Sequence, residues 1–358
     1  MPTPETALIF TNSVTTELTL LIQQINPSGG IFVIGDSYTA PHIATPLMTE
    51  CEGLRDAKLI TVKAGDENKD ITQLANIWTE LSQGGATRHS LVINIGGGMV
   101  TDMGGFAAAT FKRGVKCINI PTTLLGAVDA ALGGKTAINF AGLKNEVGAF
   151  SNPTAVIVNA QYFVTLPHEE LTSGYAELIK HALLDNINSV IDILNFDLSD
   201  PDYDCLQQLL ECSIRVKQRI VAEDPTEQGI RKALNLGHTS GHAFESYAMM
   251  RGTPVPHGHA VAWGLVVDLV LSKMLLGFNS NLLHATARYI ADSYPVLPVQ
   301  CSDYPTLLEL MRHDKKNASA DKINFTLIKE PGQPMIDREI SSADITAAID
   351  IARDLFGC

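Results

Sequence analysis

Leu91-Val92-Ile93-Asn94-Ile95-Gly96-Gly97-Gly98-Met99-Val100-Thr101-Asp102-Met103-Gly104-Gly105-Phe106 decides the fold of the first half of this chain. A short apolar run ends in glycines and is followed at once by a helical pattern. Five of the chain's 28 glycines fall within positions 96–105. Glycine lets backbone N–H groups come close to a phosphate, and the start of a helix favours negative charge. The spacing is not the GxGxxG of dinucleotide-binding turns, and a tight strand-to-helix crossing without a ligand is the other reading. Working outward, further apolar runs occur at Ile31–Gly35, Leu59–Val62, Cys117–Ile120 and Ala155–Val158. Helical stretches lie between several of them, near 40–51, 72–84 and 101–113. Buried strands alternating with helices predict a parallel sheet covered on both faces. Asp36, just after the first of these runs, is placed either to take a ribose hydroxyl or to cap a helix.

After about residue 162 the pattern changes to long segments with helical periodicity, at 168–185, 203–222, 237–250, 258–276, 282–293 and 342–356. One β-like pair, 323–328 and 335–340, interrupts them. The expectation is an α/β nucleotide-binding domain over 1–162, Rossmann-like with a parallel sheet, and a mainly α-helical domain over 163–358 that holds metal and substrate.

The chain has 358 residues, 45% hydrophobic, with a formal charge of −13. An acidic surface repels nucleic acid and anionic membrane, so neither is an expected partner, and an anionic substrate would need a local basic cluster. Met1-Pro2-Thr3-Pro4-Glu5 has no basic start before an apolar core, so no secretory leader is expected. The apolar stretch Ala260–Leu271 is interrupted by Asp268, falls short of the roughly 18 residues that span a bilayer, and reads as a buried helix. Six cysteines without a CxxC pair fit a reduced cytosol.

Asn235-Leu236-Gly237-His238-Thr239-Ser240-Gly241-His242-Ala243-Phe244-Glu245 puts two histidines four apart on one helix face, and Pro256-His257-Gly258-His259 adds two more. Imidazoles with a carboxylate suit a catalytic divalent metal with an open coordination position. No Glu lies inside the HxxxH, so the zinc-protease reading lacks its base. Capping or core histidines are the alternative. Glu177 and Lys180, in Ser173–His181, share a helix face, as a metal-side pair or a surface ion pair. Lys135 and Lys144 lie in a glycine-rich loop over 129–145, and Lys217, Arg231, Lys315-Lys316 and Arg113 stand beside polar motif residues. Solvated surface is the plain reading of such cations; glycine company favours phosphate binding.

Together these segments resemble the sugar phosphate cyclases, and within them the 3-dehydroquinate synthase family, from about residue 30 to 330. The run Pro121–Leu125, Val128-Asp129, Gly133–Thr136 and Lys144-Asn145 carries the resemblance. So does Arg231 through Asn235 to Gly237-His238-Thr239 and Gly241-His242-Ala243. The resemblance implies zinc, or cobalt, on Glu177, His238 and His257, with His242 near the substrate phosphate. It implies NAD contacts at Gly97, Gly98, Asp102, Thr122, Thr123, Lys144 and, more weakly, Asp36. Asp66 and Lys69 resemble a Gly-Glu-x-x-Lys adenosine motif with Asp in place of Glu. Lys135, Asn145, Asn235 and Lys316 match phosphate-side residues, Lys217 and Arg231 a carboxylate clamp, and Asp129, Lys144 and Lys180 the hydroxyl side. Arg113 matches a residue given by a partner subunit, which implies a homodimer. Four further positions depart from the family: His259 replaces the Glu of His-Gly-Glu, Pro225 the Glu of an Asp-Glu pair, and Ala130-Ala131 a Ser-Ser. The implied reaction is the NAD-mediated, phosphate-eliminating closure of a seven-carbon sugar phosphate, in the cytoplasm. Other sugar phosphate cyclases, metal-dependent polyol dehydrogenases and a non-catalytic relative are the rivals.

Overall fold

The computed structural model describes residues 6–313 and 322–357. The chain divides into two compact units, Met1–Leu166 and Pro167–Cys358.

The first unit runs β1 (Ala7–Phe10), α1 (Val14–Ile25), β2 (Ile31–Asp36), α2 (Thr45–Glu50), β3 (Lys58–Val62), α3 (Ile71–Gln83), β4 (Leu91–Gly96), α4 (Gly98–Thr110), β5 (Lys116–Pro121), β6 (Lys135–Phe140), β7 (Leu143–Phe150) and β8 (Ala155–Val158). Six strands form one sheet in the order β1-β8-β5-β4-β2-β3, with every pairing parallel. Alternate side chains of each strand serve opposite faces. Val33, Ile93, Ile118 and Ile157 pack with α1 and α2. Phe32, Ile34, Val92 and Cys117 pack with α3 and α4. That two-sided burial is why the strands read as continuous apolar runs rather than alternating ones. The chain leaves β2 outward to β3 and then returns to β4 on the other side. Open α/β sheets bind ligands beyond the carboxyl ends of strands at such a reversal. Asp36 ends β2 there, and Gly96 ends β4.

The segment read as a glycine-rich loop over 129–145 is largely something else. Lys135 opens β6 and Lys144 lies in β7, an antiparallel hairpin. Ala141 and Gly142 form its tip with φ of 52° and 80°. Two positive φ values are what a two-residue hairpin turn of matching twist requires. Thr136 and Ile138 point inward and are buried, while β7 is mostly exposed.

The second unit contains α5 (His168–Leu183), α6 (Ile187–Leu194), α7 (Tyr203–Glu223), α8 (His238–Met250), α9 (His257–Leu276), α10 (Ser280–Ser293), α11 (Tyr304–His313), the antiparallel pair β9 (Lys322–Ile328) and β10 (Pro334–Ser341), and α12 (Ser342–Phe356). Side-chain caps start several helices: Asp202 accepts from the N–H groups of Asp204 and Cys205, and Asn279 from that of Leu282. α9 is the core element, buried without a break from Gly258 to Ser272. Among the described residues it is the one helix long and apolar enough to cross a bilayer, and its burial marks it as a core helix.

Backbones meet closely around α9. A Cβ on Gly258 would lie 1.8 Å from the Ser173 carbonyl oxygen of α5, and one on Gly264 would lie 2.0 Å from that of Gly237. Only a residue without a side chain allows either approach. These contacts fix α5 and α8 against α9, and the three helices carry the candidate ligands Glu177, His238 and His257.

Candidate metal centre and nucleotide cradle

In the first unit, Lys69 gathers several of the expected residues. Its Nζ is 3.0 Å from Asp102 Oδ2, 2.6 Å from Asn145 Oδ1 and 3.5 Å from Asp66 Oδ1. Lys144 Nζ stands 3.7 Å from Asp66 Oδ2. Lys69 is buried, and those oxygens offset the cost of taking its ammonium out of water. Burial pushes the Asp102 carboxyl up to about 6, against the pull of Lys69, and the charges of Asp129 and Asp66 push the same way. The hairpin tip is tied in as well: Asn139 Nδ2 donates to the Asp66 carbonyl, and the Asn145 N–H donates to Asn139 Oδ1.

The glycine turn packs against the next loop. A Cβ on Gly97 would meet the Thr123 methyl at 2.9 Å, and the buried Thr122 donates its N–H to the Gly96 carbonyl. Gly98 begins α4, so the N-terminal N–H groups of that helix open at the end of β4. Asp36 Oδ1 accepts from the N–H groups of Tyr38 and Thr39. Asp36 thus ties the turn that leads into the helical segment beginning at Ala40, whose cap position is Thr39. Lys135 and Arg113 are exposed. Lys112 and Arg113 have φ of 51° and 67°, uncommon for residues with side chains.

In the second unit, three histidines converge. His238, His242 and His257 each offer a ligand atom within 4.8 Å of the others. The first lies on the opening turn of α8, the second a turn later, and the third opens α9. His238 Nδ1 is 3.0 Å from the Leu236 carbonyl and His257 Nδ1 is 2.9 Å from Glu245 Oε2. Each Nδ1 faces an acceptor, so in the neutral ring Nδ1 donates and Nε2 keeps the lone pair. His238 Nε2 is 3.4 Å from Glu177 Oε1. Burial, with the charge of Lys180 behind it, lowers the His238 pKa to about 4, so the ring is neutral at pH 7. Converging imidazoles with a carboxylate beside one of them are a fitting donor set for a divalent cation.

Glu177 and Lys180 form an ion pair, both buried, so the surface-pair reading is excluded. Lys180, His238 and His181 together hold the Glu177 carboxyl well below the usual range despite burial. Lys217 and Arg231 are also buried. Arg231 Nη1 donates to the Pro225 carbonyl, and Asp224 accepts from the N–H groups of Gln228, Gly229 and Arg231. Asp224 and the Pro225 carbonyl thus tie the loop that carries Arg231. Asn235 Nδ2 contacts Glu227 Oε1 at 3.3 Å. Lys316 lies outside the described residues. His259 turns away from the cluster: its Nε2 meets Thr172 Oγ1 at 2.8 Å and its ring stands edge-on to Tyr294.

A family model described as 3-dehydroquinate synthase N-terminal matches residues 59–173, and one described as 3-dehydroquinate synthase C-terminal matches 174–317. A 3-dehydroquinate synthase from Parabacteroides distasonis is 49% identical over 91% of this chain and 92% of its own length. The chain belongs to the 3-dehydroquinate synthase family. A second 3-dehydroquinate synthase, from Staphylococcus carnosus, is 35% identical over 92% of this chain and 91% of its own length. A solved 2-deoxy-scyllo-inosose synthase, complexed with carbaglucose-6-phosphate, NAD+ and Co2+, has the same fold. It is 22% identical with a TM-score of 0.83, covering 97% of this chain and 96% of that one.

Within this family member, sequence reading gave no role to Glu245, Asn139 or Asp268. Glu245 had a signal, since it follows His242 by three and His238 by seven, on their helix face. Asp268 had only its position inside an apolar run; it is fully buried, and its Oδ2 accepts from the Gly237 N–H at 2.6 Å. Asn139 could not be found without the hairpin that brings it to Asp66.

Proposed function

We propose that the chain is a 3-dehydroquinate synthase. It converts 3-deoxy-D-arabino-heptulosonate 7-phosphate to 3-dehydroquinate and phosphate, with NAD and a divalent metal, zinc or cobalt. The observation that carries the reading is the convergence of His238 and His257, each with Nδ1 facing an acceptor, with the buried Glu177 3.4 Å from His238. Family membership supplies the reaction class.

Glu177, His238 and His257 would hold the metal. A metal held there would supply Lewis acidity toward substrate hydroxyls, and bound NAD would supply a reversible hydride acceptor with no net redox change. Lys180 sits beside Glu177 and offers a cation to the hydroxyl side, with Asp129 and Lys144. Lys217 and Arg231, buried cations, bind the substrate carboxylate. Lys135, Asn145, Asn235, His242 and Lys316 take the phosphate, which tends to its own departure by accepting the neighbouring proton. Gly97, Gly98, Asp102, Thr122, Thr123, Asp36, Asp66 and Lys69 serve NAD. The clamps chiefly position the substrate, and positioning is where most of the gain lies. The reading also carries a cytoplasmic homodimer, with Arg113 reaching a partner subunit's site.

Substrate choice tests it. Phosphate release from the heptulosonate phosphate should exceed that from glucose 6-phosphate. Arg231→Met should cost the heptulosonate roughly 100-fold in kcat/KM, the scale of an unpaired buried charge. Equal use of both sugars, unaffected by Arg231→Met, would move the assignment to another sugar phosphate cyclase. NADH accumulation from a plain polyol would move it to a dehydrogenase.

A further inference from the structure

We infer that Glu245 is a positioning residue that sets His257 for metal binding. The inference rests on the reading that His238, His257 and Glu177 hold a divalent cation.

His257 is the first residue of α9, preceded by Pro256, and its side chain is about a third exposed, at 32%. Where the Leu236 carbonyl meets Nδ1 of His238, the partner at Nδ1 of His257 is a carboxylate from the neighbouring helix, Glu245 Oε2 at 2.9 Å. Glu245 is itself largely covered, its side chain 15% exposed, and comes from the same face of α8 as His238 and His242. Two consequences follow. The proton is fixed on Nδ1, so Nε2 has the lone pair. The negative charge beyond the ring also makes Nε2 a stronger donor than a carbonyl partner would.

His259 does not share this task. It stands two residues on, where the family has Glu, but its Nε2 is engaged by Thr172. The carboxylate that supports the site therefore comes from α8 and not from the turn after His257.

The test is metal affinity of the purified full chain. Zn2+ binding is measured by competition with a chromophoric chelator, and the visible spectrum is recorded with Co2+. Wild type and His257→Ala define the site: loss of binding in His257→Ala is expected. Glu245→Ala should weaken Zn2+ binding by roughly 10- to 100-fold and shift the Co2+ bands. Glu245→Gln keeps an acceptor without the charge and should lose less than 10-fold. The far-UV circular dichroism of the metal-free variants should match wild type. Wild-type affinity in Glu245→Ala, with binding lost in His257→Ala, overturns the role of Glu245 and leaves the metal reading intact. Full binding in His257→Ala overturns the metal reading itself. Should Glu245→Ala fail to fold, nitrogen-15 spectra of wild-type histidines decide: Nδ1–H on His257 supports the inference, and Nε2–H overturns it.

Discussion

Lys69 is a lysine with almost no contact with water and three oxygens around its Nζ. Removing one partner of a buried pair costs more than the pair contributes, because the other charge is stranded. Lys69→Met should therefore lower stability by about 3 kcal/mol in urea unfolding, and a loss below about 1 kcal/mol would contradict the network. Asp102 and His238 give opposite pH signatures. Asp102 has a folded pKa of about 6 against 3.8. Its contribution to stability is present below pH 3.8 and is lost as pH rises through 6. His238 has a folded pKa of about 4 against 6.5, so its contribution is present above 6.5 and is lost as pH falls toward 4. In the metal-free protein, the His238 ring should stay neutral down to pH 5 by NMR. A midpoint between 6 and 7 would contradict its burial. The residue types of both half-sites were legible in the sequence, from the Asp66–Lys69 spacing to the histidine cluster. What was not legible was partnership across the chain. Lys69 and Asn145 are 76 positions apart, and nothing local predicts their contact.

Helices α5, α8 and α9 hold the candidate metal residues by packing backbone on backbone. Gly264→Ala puts a methyl 2.0 Å from the Gly237 oxygen, at the turn that begins α8 and presents His238. Overpacking of this kind costs typically 1–3 kcal/mol, and here it pushes on the ligand helix. The expected outcome is a loss of about 2 kcal/mol in stability with a drop of at least 10-fold in zinc affinity; unchanged affinity would separate the helix contact from the site. Long periodic elements were readable: α5, α7, α8, α9 and α12 lie close to where their patterns put them. The four-residue β8 was readable too, because all four of its residues are apolar and buried, but two short elements with mixed faces were not. β1 has four residues, α6 has eight, and neither offers enough periods to stand out. The hairpin of β6 and β7 was hidden for a different reason. Its glycine and polar content resembles a loop, and its strands gain order from the burial of Thr136 and Ile138 rather than from an apolar run.

At the scale of the whole chain, composition excluded more than it specified. An acidic protein that handles an anionic substrate must concentrate its cations, and Lys217 and Arg231 are buried where a solvated surface would have left them exposed. The expected NAD residues all fall in the unit ending at Leu166, and the metal residues all fall in the unit beginning at Pro167. A reaction that needs both cofactors therefore needs both units. The most direct measurement is phosphate release from 3-deoxy-D-arabino-heptulosonate 7-phosphate, followed with NAD and Zn2+, without NAD, and after chelation, while NADH absorbance is recorded. The account predicts release only when both cofactors are present, with no NADH accumulating. Release that persists after complete metal removal, or one NADH formed per phosphate, would contradict it.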